Sequence, residues 1–159
     1  MLRICLLFFI VCLPLQAQSV EEIQKEYIKA SDSKESTEKF YTFMESVALD
    51  TPVKKAYKGA SLMMYSKQSG KLRQMLKEGK KLIEEAVKEA PTDIEVHFIR
   101  LSVQEHLPKI VPYRSNIVED KDFILQNLGN ESEKIRKYIK GYISKSKVFT
   151  QGDKERIGI

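Results

Sequence analysis

Tryptophan is absent from this 159-residue chain, and cysteine and histidine occur only twice each. Both cysteines, Cys5 and Cys12, fall within the first twelve residues. That stretch has the layout of an export signal: Arg3 as a short basic region, an unbroken apolar run from Ile4 to Leu13, the breaker Pro14, and Leu15-Gln16-Ala17 as a small-residue junction. A spanning helix needs about 20 apolar residues, and the run is about half of that. The expectation is a cleaved signal peptide over residues 1–17, an exported (periplasmic or secreted) product beginning at Gln18, and no transmembrane segment in the mature chain. Val11 precedes Cys12 where a lipoprotein junction would need a small residue, so lipid anchoring is not expected. A mature chain without cysteine can form no disulfide, perform no thiol catalysis and offer no cysteine-ligated metal site.

The two histidines exclude more. His97 and His106 are nine residues apart on one expected helix, and each residue turns about 100°, so they point in opposite directions and cannot share a metal. No glycine-rich phosphate loop and no serine beside an evident base occur. No catalytic residue, cofactor or metal is therefore expected, and the chain does not read as an enzyme. The net charge of +5 is unevenly spread. Residues 18–133 carry 18 basic and 20 acidic side chains, whereas residues 134–159 carry eight basic and two acidic ones. For an exported chain this basic end points to anionic membrane or glycan surfaces rather than nucleic acid.

What remains is dense in helix signals and poor in strand signals. Ser19 with Glu22 forms a capping box ahead of Val20, Ile23 and Tyr27. A second helix carries Phe40, Phe43, Met44 and Val47 at i, i+3, i+4 and i+7, and Pro52 opens a third with Val53, Ala56, Tyr57, Ala60 and Met64 on one stripe. A fourth, about residues 71–90, keeps the 3.6-residue period from Leu72 through Ile83 and Ala86. Pro91 ends it, and Thr92 with Glu95 is expected to cap the fifth. That fifth segment is apolar on nearly every side, from Ile94 to Leu107, which predicts a central, buried helix. Pro108 and Pro112 impose an irregular crossing that contains Tyr113. Asn116 is expected to cap a sixth helix, and Asn130 with Glu133 a seventh bearing Ile135, Tyr138, Ile139 and Tyr142. The expected organisation is all-α: about seven helices in a helical domain over residues 18–144, then a flexible basic tail over residues 145–159 with too few apolar residues to order itself.

Gly79, Ile83, Ala86 and Pro91 stand where a tetratricopeptide hairpin places its small, large and small core residues and its closing proline, so the fourth and fifth helices resemble one such hairpin. The segment after Pro91 departs from that repeat at His97, Arg100, Leu101 and Gln104, and no second copy follows at a fixed period. A wider pattern, Ala56-Tyr57-Lys58-Gly59-Ala60, then Gly79, Ile83 and Ala86, then Glu95, Phe98-Ile99-Arg100-Leu101, Gln104, Pro108, Tyr113 and Glu119-Asp120, resembles a group of uncharacterised bacterial exported proteins. The resemblance implies a helical-hairpin stack, tetratricopeptide-like or α-solenoid-like, with Gly79 and Ala86 at the hairpin seam. It implies export and carries no activity.

Three residues stand out as structural or binding candidates: Arg100, Tyr113 and Asp120. Arg100 falls on the helix expected to be most buried, where an unpaired charge would cost several kcal/mol. Glu95, Glu119, Asp120 and Asp122 are its candidate partners, and a carboxylate clamp pinning the proline crossing is the expected arrangement. Tyr113, Tyr138 and Tyr142 are read as core aromatics or as a binding patch. Three functions follow. The first is a non-enzymatic interaction or scaffolding protein with an unknown protein partner in the bacterial envelope. The second is a peripheral binder of anionic membrane or glycan surfaces through the basic C-terminus. The third is a hydrolase using carboxylates such as Glu119 and Asp120.

Overall fold

The computed structural model describes residues 18–159, so the expected signal peptide and its cleavage point lie outside the described residues. Among the described residues there are eight α-helices and no strand: α1 Val20–Lys29, α2 Lys34–Glu45, α3 Pro52–Tyr65, α4 Leu72–Glu89, α5 Ile94–His106, α6 Ile117–Asn127, α7 Glu133–Ile143 and α8 Gln151–Arg156. None of them is long and apolar enough to cross a membrane.

Local chemistry sets most of the boundaries. Ser19 and Glu22 close the reciprocal capping box at α1, and Ser33, Thr51 and Ser132 each accept a backbone N–H at the starts of α2, α3 and α7. Two expected caps are displaced, and a third stands at its expected position without a side-chain bond. Asp93, not Thr92, caps α5 by accepting from the N–H groups of Glu95 and Val96. Asn116 precedes α6 but its side chain caps nothing, because it is drawn to Gln104 and Glu119. Ser132 takes the place expected of Asn130 at α7. Between α3 and α4 the chain reverses through Gly70, whose φ of +69° is a left-handed bend that a residue with a β-carbon adopts only under strain.

α5 is the axis of the fold. Ile94 through Gln104 are buried without interruption, as an all-round apolar helix must be. α3, α4, α6 and α7 all pack on it, and α1 reaches it through side chains: the Tyr27 hydroxyl bonds Ser102 at 2.6 Å and Gln24 bonds Glu95 at 2.7 Å. The closest helix pair, however, is α3 with α4 rather than α4 with α5. A β-carbon added at Gly59 would lie 2.6 Å from the Gly79 carbonyl oxygen and 2.7 Å from Ile83 Cγ1; one added at Gly79 would lie 2.6 Å from the Gly59 carbonyl oxygen. The seam expected between the fourth and fifth helices is thus built from two glycines facing each other across α3 and α4. Ala86 is fully buried further along α4.

Residues 145–159 are not the free tail expected from their composition. Phe149 is buried at 3% exposure, and Thr150 with Asp153 forms a second capping box that opens α8. The decisive anchor is polar. Glu105 of α5 accepts from the Ser146 hydroxyl and the Lys147 N–H, both at 2.8 Å, and from the Tyr142 hydroxyl. Burial works against the charge of Glu105, but these donors outweigh it and hold its pKa below the usual carboxylate value. Replacing Phe149 by alanine is expected to lower stability by about 3 kcal/mol, and truncation after Ser144 by more. Equilibrium urea unfolding checks both, and midpoints equal to the parent's would return the segment to the status of a tail.

Candidate functional site

The polar residues of α5 are spaced so that no single face can hold them all: Glu95, His97, Arg100, Ser102 and Gln104 are buried on different sides. His97, Arg100 and Gln104 fall on one side and find partners on or just before α6, whereas Glu95 and Ser102 fall on another and find partners on α1 and α3. Two clusters result, one toward α6 and one toward α3 and α7.

The first cluster joins the three residues singled out from sequence. Arg100 grips Asp120 of α6 with two parallel bonds, Nε to Oδ2 at 2.8 Å and Nη2 to Oδ1 at 2.7 Å. Its Nη1 reaches Glu84 of α4 at 3.3 Å, and Glu119 stands 3.5 Å away. Tyr113, from the proline crossing, donates its hydroxyl to the other oxygen of Glu84 at 2.7 Å, and the Lys80 ammonium lies 5.1 Å from its ring centre. Arg100 thus ties α4, α5, α6 and the crossing together. Of the other candidate partners, Asp122 is exposed and Glu95 belongs to the second cluster. Asp120 is fully buried, and its charge is tolerated because a guanidinium takes both oxygens. Burial opposes the charge of Arg100, but the bonds and attraction to Asp120, then Glu84 and Glu119, raise its pKa further.

Sequence reasoning missed His97 in this cluster. Its ring stacks on Phe123 at 4.1 Å between centres. Nδ1 lies 2.7 Å from Asp120 Oδ1, and Nε2 lies 2.9 Å from the carbonyl oxygen of Pro91. Both partners are acceptors, so both ring nitrogens have to carry hydrogens for both bonds to form. Burial and the nearby Arg100 disfavour the imidazolium, yet the bonds to Asp120 and Pro91 and the Asp120 charge outweigh them and raise the pKa. A folded-state pKa above the unfolded one means the native state holds more protons, so this stabilisation is complete below about pH 6.5 and fades as pH rises through the raised value. Stability measured by urea unfolding is expected to decline across that interval, and His97→Gln is expected to flatten the decline. An unchanged slope in that variant would show that His97 is neutral in the fold. His106, as its position implied, points elsewhere: its Nδ1 bonds the Ser102 carbonyl at 2.8 Å.

The second cluster was not foreseen. Glu95 Oε1 accepts from the Tyr57 hydroxyl at 2.6 Å and from Gln24 at 2.7 Å. Since Tyr57 spends its proton there, the Tyr138 hydroxyl, 2.9 Å away, donates to Tyr57 in turn. Burial raises the Glu95 pKa; the bonds from Tyr57 and Gln24 lower it, and the charges of Asp93 and Glu131 raise it again. Burial likewise pushes Tyr27 up to about 12. From sequence, Tyr27, Tyr57 and Tyr138 stand out only as stripe residues and Glu95 only as part of a cap or as a partner for Arg100. The partners lie 38 and 71 positions away in the chain.

Taken together, the first cluster is closed: acids, guanidinium and imidazole satisfy one another, and Asp120 has no surface to offer a substrate. Among the described residues no buried side-chain nitrogen or oxygen lacks a partner, and no group of histidines and carboxylates is placed to hold a metal ion. Comparison of this chain with protein-family models, with curated proteins and with solved structures gives no match.

Proposed function

We propose that this chain is an exported, non-enzymatic interaction or scaffolding protein built as a tetratricopeptide-like stack of helical hairpins. The observation that carries the reading is the closure of the Arg100 cluster. The most charged constellation in the chain is consumed in joining four segments of the fold, so its role is to fix the shape of a helical body whose use is its surface. The hydrolase reading loses its leading carboxylate with the burial of Asp120. The anionic-surface reading loses part of its free tail: Lys154, half-buried, donates to the carbonyls of Ser144 and Ser146, and Arg156, exposed, to that of Leu125, so both cations are tied to the ends of other helices.

The test is photo-cross-linking in the native host, with the reactive residue placed in turn at the exposed positions Ile28, Ile110 and Val118. A discrete cross-linked product from one face, lost when the probe moves to another, is the expected result. Material that starts at Gln18 would support export, and material that starts at Met1 would refute it. A chain that cross-links to nothing at any position, yet turns over a substrate, would overturn the scaffold reading.

A further inference from the structure

We infer that the outer face of α4 is a docking surface for an acidic polysaccharide, a linear chain of sugars bearing carboxylate or sulfate groups. At about 100° per residue, Arg73, Lys77, Lys80, Lys81 and Lys88 fall within about 100° of the helix circumference, opposite the buried Met75, Gly79, Ile83 and Ala86. All five cations are exposed. Arg73, Lys77 and Lys81 follow one another at steps of about 6 Å along the axis, with Lys80 beside them, and the row ends at Lys88, about 22 Å from its start. Lys77, Lys80, Lys81 and Lys88 border an open trough of about 390 Å³.

A lysine-rich helix face is ordinarily balanced by acids one turn away, and here the fold draws those acids off. Glu84 is the one acid inside the cationic sector, and it is taken by Arg100, at 3.3 Å, and by the Tyr113 hydroxyl, at 2.7 Å. Glu78, Glu85 and Glu89 fall in the next sector of the helix. Glu89 pairs with Lys55 of α3 at 2.6 Å, and Glu85 reaches Lys81 at 3.7 Å. Arg73, Lys77, Lys80 and Lys88 stand in no ion pair with any aspartate or glutamate among the described residues. The row is longer than the Debye length of about 8 Å at physiological salt, so a single anion cannot answer it, whereas a polyanion that spans it displaces several counterions at once. The rest of the face selects among polyanions. α4 has no aromatic residue on which an unpaired base could stack. Its exposed large apolar residue, Leu72, falls on the side of Gly79 and away from the cations, so this face offers nothing for insertion into a bilayer. The C-terminal cations are already engaged in part: Lys134 pairs with Glu21 at 2.7 Å, and Arg136, Lys154 and Arg156 donate to backbone carbonyls.

The inference goes beyond the interaction reading above and does not rest on it. Calorimetric titration at low salt uses polygalacturonate as the carboxylated probe and heparin as the sulfated one, with a DNA duplex and phosphatidylglycerol vesicles for comparison. Expected is saturable binding of at least one polysaccharide, tighter than that of DNA or vesicles and weakened by added salt. Lys77→Gln, Lys81→Gln and Lys88→Gln combined should weaken it about tenfold or more. Lys137→Gln, Lys145→Gln and Lys147→Gln combined remove the same charge from the C-terminal region and should weaken it less than about twofold. All six positions are exposed, so both variants should melt as the parent does. Binding of polygalacturonate alone assigns the face to carboxylated chains, and binding of heparin alone to sulfated ones. Equal losses in the two variants would reveal attraction by net charge without a site. That result, failure of both polysaccharides to saturate, or tighter binding of DNA or vesicles overturns the inference and leaves a protein partner of the body unaffected.

Discussion

Methionine in place of Arg100 is expected to cost about 3–5 kcal/mol, a large share of the 5–15 kcal/mol that holds an ordinary domain together. The cost comes from what is left behind. Asp120 is fully buried and would keep only the His97 contact on Oδ1, while Oδ2 would have no donor. Glu84 would lose its guanidinium at the same stroke and keep only the Tyr113 hydroxyl. The Asp120→Asn change alone should also be costly, because an amide offers hydrogens to a guanidinium that has no acceptor to spare. Arg100→Met with Asp120→Asn together should cost clearly less than the sum, since each removes the group the other strands. The double-mutant cycle, read by urea unfolding at fixed pH, gives the coupling directly. Additive losses would mean that the two side chains stabilise the fold independently, against the geometry described.

The second large effect concerns a residue with no side chain. Gly59→Val is expected to destabilise by about 3 kcal/mol, because the new β-carbon meets the Gly79 carbonyl oxygen at 2.6 Å and the backbone of α4 has to retreat. A flexible neighbour could swing aside; a helix carbonyl cannot. Gly141, on the open side of α7, has nothing within 4 Å of the same test position, so Gly141→Ala serves as the control and should be neutral or mildly stabilising. Thermal melting would distinguish the two by roughly 10 °C in a domain of this size. Equal melting temperatures would refute the glycine seam.

These two sites differ in how far they can be read from sequence. Arg100 announces itself because a charge on an all-round apolar helix requires a partner, and acids follow within about 20 positions; the structure brings it to Asp120. The capping box at Ser19 and Glu22 is equally legible, since it is complete within four residues. The glycine seam is not. Periodicity places Gly79 on the inner face of α4, but nothing local says whether α3 or α5 lies against it, and the resemblance to a repeat hairpin favoured the wrong neighbour. Counting apolar residues failed for residues 145–159 for a different reason. Their order comes from Phe149 and from donors that serve Glu105, 41 positions earlier than Ser146, and a hydropathy count cannot see a hydrogen bond. The place of Glu95 was misread because capping α5 or pairing with Arg100 explained its presence, whereas the structure gives the cap to Asp93 and sends Glu95 to Tyr57.

The Glu105 anchor also bears on when the fold can close. A chain made from its N-terminus produces α5 well before Tyr142, Ser146 and Lys147, the three groups that quench the Glu105 charge. Until they emerge, the central helix carries a carboxylate with no donors at the edge where α7 will dock, and an uncompensated charge there opposes burial of the surrounding apolar surface. The contacts that quench Glu105 in the folded state therefore wait for residues 142–147. A protein threaded through a membrane channel in an unfolded state would gain from that timing, since early closure of the core would stall its passage.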